Sequence, residues 1–161
     1  MSLIGFNSTK LRSKLLAGLV LFFFVLNTAT AFALPTDPKV INGQATFATS
    51  GNTLNITNSP NAIINWNSFS IGSNELTKFI QQSSTSAVLN RVTGGNASAI
   101  YGALQSNGRI FLINQNGILF GPGASVDVNK LVASTLDIKN EDFLAGRFNF
   151  FKGTAAGSIE N

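Results

Sequence analysis

From residue 44 onward the chain alternates short apolar runs with short polar turns. The clearest example spans residues 109–124, where the apolar runs 110–113 and 118–120 flank a polar turn at 114–117. Runs of three or four residues are too short for a stable helix, and their Ile, Leu and Phe content is typical of strands. Because these runs are continuous rather than alternating, we expect strands that are buried on both faces.

The same pattern along the rest of the chain predicts an all-β fold. In the second half the apolar runs recur at intervals of 8 to 12 residues, a spacing typical of short strands. Sandwiches, barrels and solenoids all fit this spacing, but asparagine and glycine at the corners and few charges within the strands favour a solenoid. Further strands are predicted over 44–49, 53–57, 62–67, 69–71, 78–81, 88–92, 125–128, 130–133, 136–138 and 148–151, and a short helix or helical turn over 97–104.

The first 33 residues have the pattern of a secretory signal peptide helix. Three basic residues precede an apolar stretch over 15–26, and the small residues Ala31 and Ala33 fit a cleavage site after Ala33. The apolar stretch falls short of the roughly 20 residues that a spanning helix needs, so an uncleaved membrane anchor is the weaker alternative. The sequence therefore predicts an exported mature domain over 34–161 without a stable membrane span.

The net charge of the mature part differs from that of the whole chain. The whole chain has 11 basic and 7 acidic residues, but three of the basic residues lie in the leader. The mature part is close to neutral and has no basic cluster, so we expect no nucleic-acid partner. The chain contains no cysteine and no histidine. This composition predicts no disulfide, and we expect neither a metal site nor a cofactor.

Few residues offer candidate chemistry. Asp127 and Asp137 could face one another as the paired carboxylates of a glycosidase or a calcium-dependent lyase, but separate solvated acids are the simpler interpretation. Arg91 and Arg109 could bind an anion, or each could pair with an acid or with backbone carbonyls. No set of nucleophile, base and orienting group is recognisable. We therefore predict no catalytic residue and no enzyme activity.

Four segments of the mature part carry a resemblance to a known family. They are AIINWNSFSIG (62–72), FIQQSSTSAVLNRVTGG (79–95), NGRIFLINQNGILFGPGASVDV (107–128) and LVASTLDI (131–138). Together they resemble the haemagglutination-activity domain, which is the N-terminal secretion domain of two-partner-secretion exoproteins of the filamentous haemagglutinin type. The resemblance extends over about residues 40–151, nearly all of the mature part.

The resemblance implies a right-handed parallel β-helix with an N-terminal cap. It also implies a role as the export address of a large adhesin, haemolysin or contact-dependent toxin. POTRA domains of an outer-membrane transporter would read this address in the periplasm, and the transporter would pass the chain to the cell surface. Host or surface glycans and receptors are implied as further partners. In the family a long solenoid follows, so we expect the sequence to end before the module is complete.

The candidate site residues also follow from the resemblance. The family's Asn-Pro-Asn-Gly-Ile motif corresponds to Asn114, Gln115, Asn116, Gly117 and Ile118, with Gln115 in place of the proline. In an Asn-Gly pair the backbone reverses at little steric cost, so this segment is expected to form a structural corner.

Asn90 and Arg91 lie in the second resembling segment and are candidates for partner recognition. Two other functions compete with the secretion role: a β-helical polysaccharide-active enzyme, and a surface subunit of the amyloid type suggested by the Asn, Gln and Ser content. The enzyme would require clustered acids in a groove, and the amyloid-type subunit would require a strict sequence repeat.

Overall fold

The computed structural model describes residues 34–155 and 157–161, and the predicted signal peptide with Ala31 and Ala33 lies outside them. Strands dominate the described part, and one short helix interrupts them near the end. In chain order the elements are β1 (Lys39–Asn42), β2 (Ala45–Ser50), β3 (Thr53–Asn58), β4 (Ala62–Trp66), β5 (Leu76–Ile80), β6 (Ala87–Val92), β7 (Ser98–Ile100), β8 (Ala103–Ile113), β9 (Ile118–Phe120), β10 (Ser125–Ser134), β11 (Asp137–Ile138), α1 (Asn140–Leu144), β12 (Phe150–Phe151) and β13 (Ile159–Glu160).

The chain winds through three stacks of parallel strands. The first stack contains β3, β5, the start of β8 and the start of β10. The second contains β4, β6, the end of β8 and the end of β10. The third contains β7, β9 and β13, and Ile71 joins it through a parallel bridge to Ile100. About four turns of this winding form a β-solenoid, which confirms the parallel β-helix predicted from the sequence.

Apolar side chains from the stacks fill one continuous interior. Ala62, Val88 and Ile110 occupy equivalent positions in successive turns, so that each packs on the turn before it. Aromatic rings fill the first turns: Trp66 and Phe69 pack edge to face with ring centroids 5.6 Å apart. Because these side chains are buried and pack against one another, the stability of the interior depends on side-chain volume at each of these positions.

The second stack is also covered on its outer face. Phe111 and Ile113 point away from the interior and form a second apolar cluster with Ile138 and Phe143. Ile110 and Leu112, in the same strand, point into the interior. All four residues of the run 110–113 are at most 2% exposed. The expectation of strands buried on both faces is therefore confirmed here.

An N-terminal cap closes the first turn. β1 pairs antiparallel with β4, and β2 pairs antiparallel with β3, so the chain reverses before the parallel winding starts. Phe47 of β2 lies against Trp66 with ring centroids 5.6 Å apart and nearly perpendicular planes. This contact covers the end of the apolar interior, and the predicted cap is confirmed.

The helical turn predicted over 97–104 is wrong. Residues 98–100 form strand β7, the chain turns at Tyr101 and Gly102, and β8 starts at Ala103. Ile100 is fully buried and pairs with neighbouring turns on both sides, through Ile71 and Phe120. Stacking against two adjacent turns outweighs the weak local preference for a helix.

An excursion between β10 and β13 leaves the stacks. The strands predicted at 136–138 and 148–151 are shorter in the structure, where they form the two-residue strands β11 and β12, which pair antiparallel. The helix α1 between them was not predicted, although Glu141 and Asp142 in its first turn suit the positive end of a helix. Its Phe143 is buried in the second apolar cluster. Within the described part, no helix has the length and apolar character needed to cross a membrane.

Replacing Leu112 by alanine should destabilise the fold strongly. Leu112 is fully buried in the interior, so the truncation leaves a cavity and should lower the free energy of unfolding by about 2–5 kcal/mol. Leu136→Ala is the matched control, because Leu136 is 41% exposed. Urea unfolding followed by circular dichroism measures both. Equal losses for the two variants would contradict the assigned interior.

Candidate functional site

The candidate corner at 114–118 is a tight turn between β8 and β9. The Gly117 amide donates to the Asn114 carbonyl across 3.1 Å, which closes the turn. The Asn114 side-chain oxygen accepts the Asn116 amide at 2.9 Å and fixes the first half of the turn. Gly117 has a φ of +116°, a conformation that favours glycine. Ile118 then begins β9 as a buried core residue. The corner that the sequence predicts is thus formed.

The Asn114 side chain is fully buried and links the corner to the turn before it. Its Nδ2 donates to the Asn96 carbonyl and to the Ser98 hydroxyl, each at 3.0 Å. Its backbone amide donates to the Ser134 carbonyl of the following turn at 3.0 Å. Asn114 therefore joins three successive turns, and an apolar side chain at this position would leave several polar groups unpaired.

Asn116 and Gly117 extend the same connection. Asn116 Nδ2 donates to the Gly94 carbonyl at 2.9 Å, and the Gly117 carbonyl accepts the Ser98 amide at 3.0 Å. On the other side, the Ile118 amide donates to the Ser158 carbonyl at 2.9 Å. The corner lies between the preceding and following turns and pairs with both.

Gln115 holds the returning end of the excursion. Its Oε1 accepts the Thr154 amide at 3.1 Å, and its backbone carbonyl accepts the Gly157 amide at 3.0 Å. Its Nε2 donates to Asp137 Oδ2 at 3.4 Å. A proline here would keep the carbonyl but would offer no side-chain amide. In this chain the side chain of Gln115 therefore connects the corner to the start and to the end of the excursion.

Arg91 binds the start of the excursion on the outer face of the second stack. Its Nε donates to Asp137 Oδ1 at 2.9 Å, and its side chain is only 14% exposed. Its two terminal nitrogens donate to the Asn140 side chain at 2.9 Å and to the Ile138 carbonyl at 2.5 Å. Of the two interpretations of Arg91, the structure supports pairing with an acid and with a carbonyl.

Asn90 lies in the interior of the solenoid. Its Oδ1 accepts the indole N–H of Trp66 at 3.0 Å, and its Nδ2 donates to the Phe111 carbonyl at 3.4 Å. Asn90 is fully buried. In the folded domain a partner cannot reach this side chain, so any recognition of Asn90 must precede folding. No local pattern predicts the pairing with Trp66, because the two residues are 24 positions apart.

The two carboxylates weighed for an enzyme are not brought together. Asp127 lies on the first stack, in register with Gln105, whereas Asp137 starts the excursion and pairs with Arg91. Among residues 34–155 and 157–161 no group of three His, Cys, Asp or Glu side chains could hold a metal ion.

A second bridge between turns lies at the corner within β8, and it was not predicted from the sequence. The Gln81 amide donates to Asn107 Oδ1 at 2.7 Å, and Asn107 Nδ2 donates back to the Gln81 carbonyl at 2.8 Å. Asparagine beside glycine at Asn107 and Gly108 was the available signal, the same pair that marks the corner at Asn116 and Gly117.

Asn114→Ala should lower the free energy of unfolding by about 1–3 kcal/mol, because it leaves buried hydrogen-bonding groups of neighbouring turns without partners. Asn52→Ala is the control, since Asn52 lies in an exposed turn and the change should stay within about 0.5 kcal/mol. Chemical unfolding of both variants tests this. A loss no larger for Asn114 than for Asn52 would refute the linking role.

Gly117→Val should strain the corner by about 1–3 kcal/mol, because valine rarely adopts a positive φ. A side chain there would also begin 3.0 Å from the Ser158 carbonyl. Gly95→Val is the matched control in the adjacent turn, because a Cβ at Gly95 meets no atom within 4 Å. Thermal unfolding compares the two. Equal melting temperatures for both variants and the parent chain would contradict the requirement for a positive φ at Gly117.

Comparison with known proteins identifies the family to which this chain belongs. The family model described as the TPS secretion domain matches residues 31–159. The chain is 42% identical over 112 residues to a heme/hemopexin-binding protein of Haemophilus influenzae, a match that covers 69% of this chain and 12% of that protein. Another heme/hemopexin-binding protein from Haemophilus influenzae is 38% identical over 96 residues, covering 60% of this chain and 10% of that protein.

A solved structure agrees with the sequence comparison. The HMW1 secretion domain from Haemophilus influenzae superposes with a TM-score of 0.76 at 44% identity, covering 78% of this chain and 34% of that one. The match therefore spans about a tenth of the curated relatives and a third of the solved domain. The family model spans nearly all of the described solenoid, and the chain belongs to the TPS secretion domain family of two-partner-secretion exoproteins.

Proposed function

We propose that this chain is the export address of a larger exoprotein and that an outer-membrane transporter reads it before it folds. The carrying observation is the burial of the candidate residues: Asn90 and Asn114 are both fully buried once the solenoid has formed. A partner that recognises these side chains must therefore meet an unfolded chain. The family, whose exoproteins are secreted or surface-associated, supports this order of events.

The transporter would bind the chain through its periplasmic POTRA domains. An extended segment adds to a sheet edge through backbone hydrogen bonds, while side chains such as Arg91 provide specificity.

The signal peptide would be removed after Ala33 during the first export step. Outside the cell, the solenoid would fold turn by turn, because each turn contacts mainly its neighbours. Folding there would discourage return through the transporter. We propose host or surface glycans and receptors as later partners of the exported protein.

Binding of the unfolded chain to purified POTRA domains of the partner transporter tests recognition apart from folding. With the chain held unfolded in mild denaturant, Arg91→Ala should weaken binding about tenfold, a loss of about 1.4 kcal/mol. Arg109→Ala removes the same charge at a partly exposed position outside the Arg91 contacts, and it should bind as the parent chain does. Export from cells that carry the transporter should yield a protein that starts at Leu34.

Equal binding of the parent chain and both arginine variants would contradict recognition through Arg91. Full export of chains that are already folded would contradict the proposed order, because the buried residues would then be out of reach. An intact leader on the exported protein would contradict cleavage after Ala33. Measurement on the unfolded chain is essential, because Arg91→Ala also removes the contacts to Asp137 and Asn140 that stabilise the folded state.

A further inference from the structure

Strand β2 ends the first stack on the side of the cap. It pairs with β3 through six consecutive positions, from Ala45↔Asn58 to Ser50↔Thr53, without a shift in register. Within the described part, the path of the sheet stops at β2. An antiparallel strand with one neighbour directs alternate N–H and C=O groups away from that neighbour. β2 therefore presents a row of backbone groups that have no strand partner.

The residues of β2 are accessible. Thr46 and Ala48–Ser50 are exposed, and only Ala45 and Phe47 are partly covered. The two partly covered side chains point towards the interior, where they pack against the main apolar cluster. The outer face and the free edge of β2 are thus open over the whole length of the strand.

The other strands at the two ends of the solenoid carry features that prevent edge pairing. Pro38 precedes β1, Lys39 begins it, and its register shifts between Val40 and Asn42. At the opposite end, β10 carries Asp127 and Lys130 with a register shift between Val128 and Lys130, and the two-residue strand β13 carries Glu160. Charges, prolines and bulges are the usual protections of an exposed edge. β2 contains none of them.

The surroundings of β2 are uncharged as well. No Asp, Glu, Lys or Arg occurs between Lys39 and Glu75, so β2, β3 and β4 carry no charged side chain. A strand that pairs with β2 gains nothing from charge, and it must itself be extended and free at one edge. Within the described residues, β2 itself is the uncharged strand at the solenoid ends that meets these conditions.

We propose that β2 is a self-association surface at which two copies of this chain pair antiparallel through Ala45–Ser50. The pairing would join the first stacks of both copies into one sheet around a two-fold axis, the commonest symmetry of protein dimers. Uncharged strands meet without repulsion, and threonine opposite threonine or serine is a favourable cross-strand pair. The inference rests on the folded domain and does not depend on the proposed route of export.

Sedimentation velocity of the exported protein over a wide concentration range tests the proposal. We expect a dimer whose fraction rises with concentration. Ala48→Lys places a charge on the exposed edge of each copy and should weaken the association about tenfold or more. Ser125→Lys makes the same charge change at an exposed position of β10 and should leave the association unchanged. Circular dichroism of both variants verifies the fold.

Hydrogen exchange of the unmodified protein supplies a second readout that needs no variant. The amides of β2 that are not bonded to β3 should exchange more slowly as the concentration rises, while the amides of β10 should not change. A monomer at every concentration would overturn the proposal, and so would a dimer that Ala48→Lys does not weaken. Slower exchange confined to any strand other than β2 would also overturn it.

Discussion

The structure depends on the parallel pairing of β8 with the turns on both sides of it. The start of β8 pairs with β5 and β10, and its end pairs with β6 and β10, so one strand fixes the register of three turns. Leu104 lies between Thr77 and Val126, and Phe111 lies between Leu89 and Val132. A slip by one residue would exchange the inner and outer faces of the second stack. Both faces are apolar over residues 110–113, so packing alone opposes such a slip only weakly there.

The corners make that pairing specific. Asn114 and Asn107 each hydrogen-bond to the backbone of an adjacent turn, so a turn cannot close at a different residue without leaving buried amides unpaired. Apolar packing alone would tolerate several registers, because isoleucine and leucine recur at many positions. These two asparagines select between the registers, and the apolar interior provides the bulk of the stability.

Much of this could be predicted from the sequence, because the information is local. The apolar runs at 110–113 and 118–120 and the Asn-Gly pair between them identify strands and a corner without any knowledge of their neighbours. The excursion could not be predicted in the same way. Its helix is five residues long, and Arg91, which holds it, lies 46 positions before Asp137. Contacts over such distances leave no periodic pattern in the chain.

The separation in sequence between Arg91 and its partners means that the second turn is incomplete by itself. Residues 137–140 follow Arg91 by 46 to 49 positions. Without them, the guanidinium has no carboxylate beside it, and the outer sides of Leu89 and Phe111 face water. A second stack without the excursion therefore exposes an apolar outer face, which the excursion covers in the complete domain. A chain arrested before residue 143 would be the most prone to stick to its neighbours.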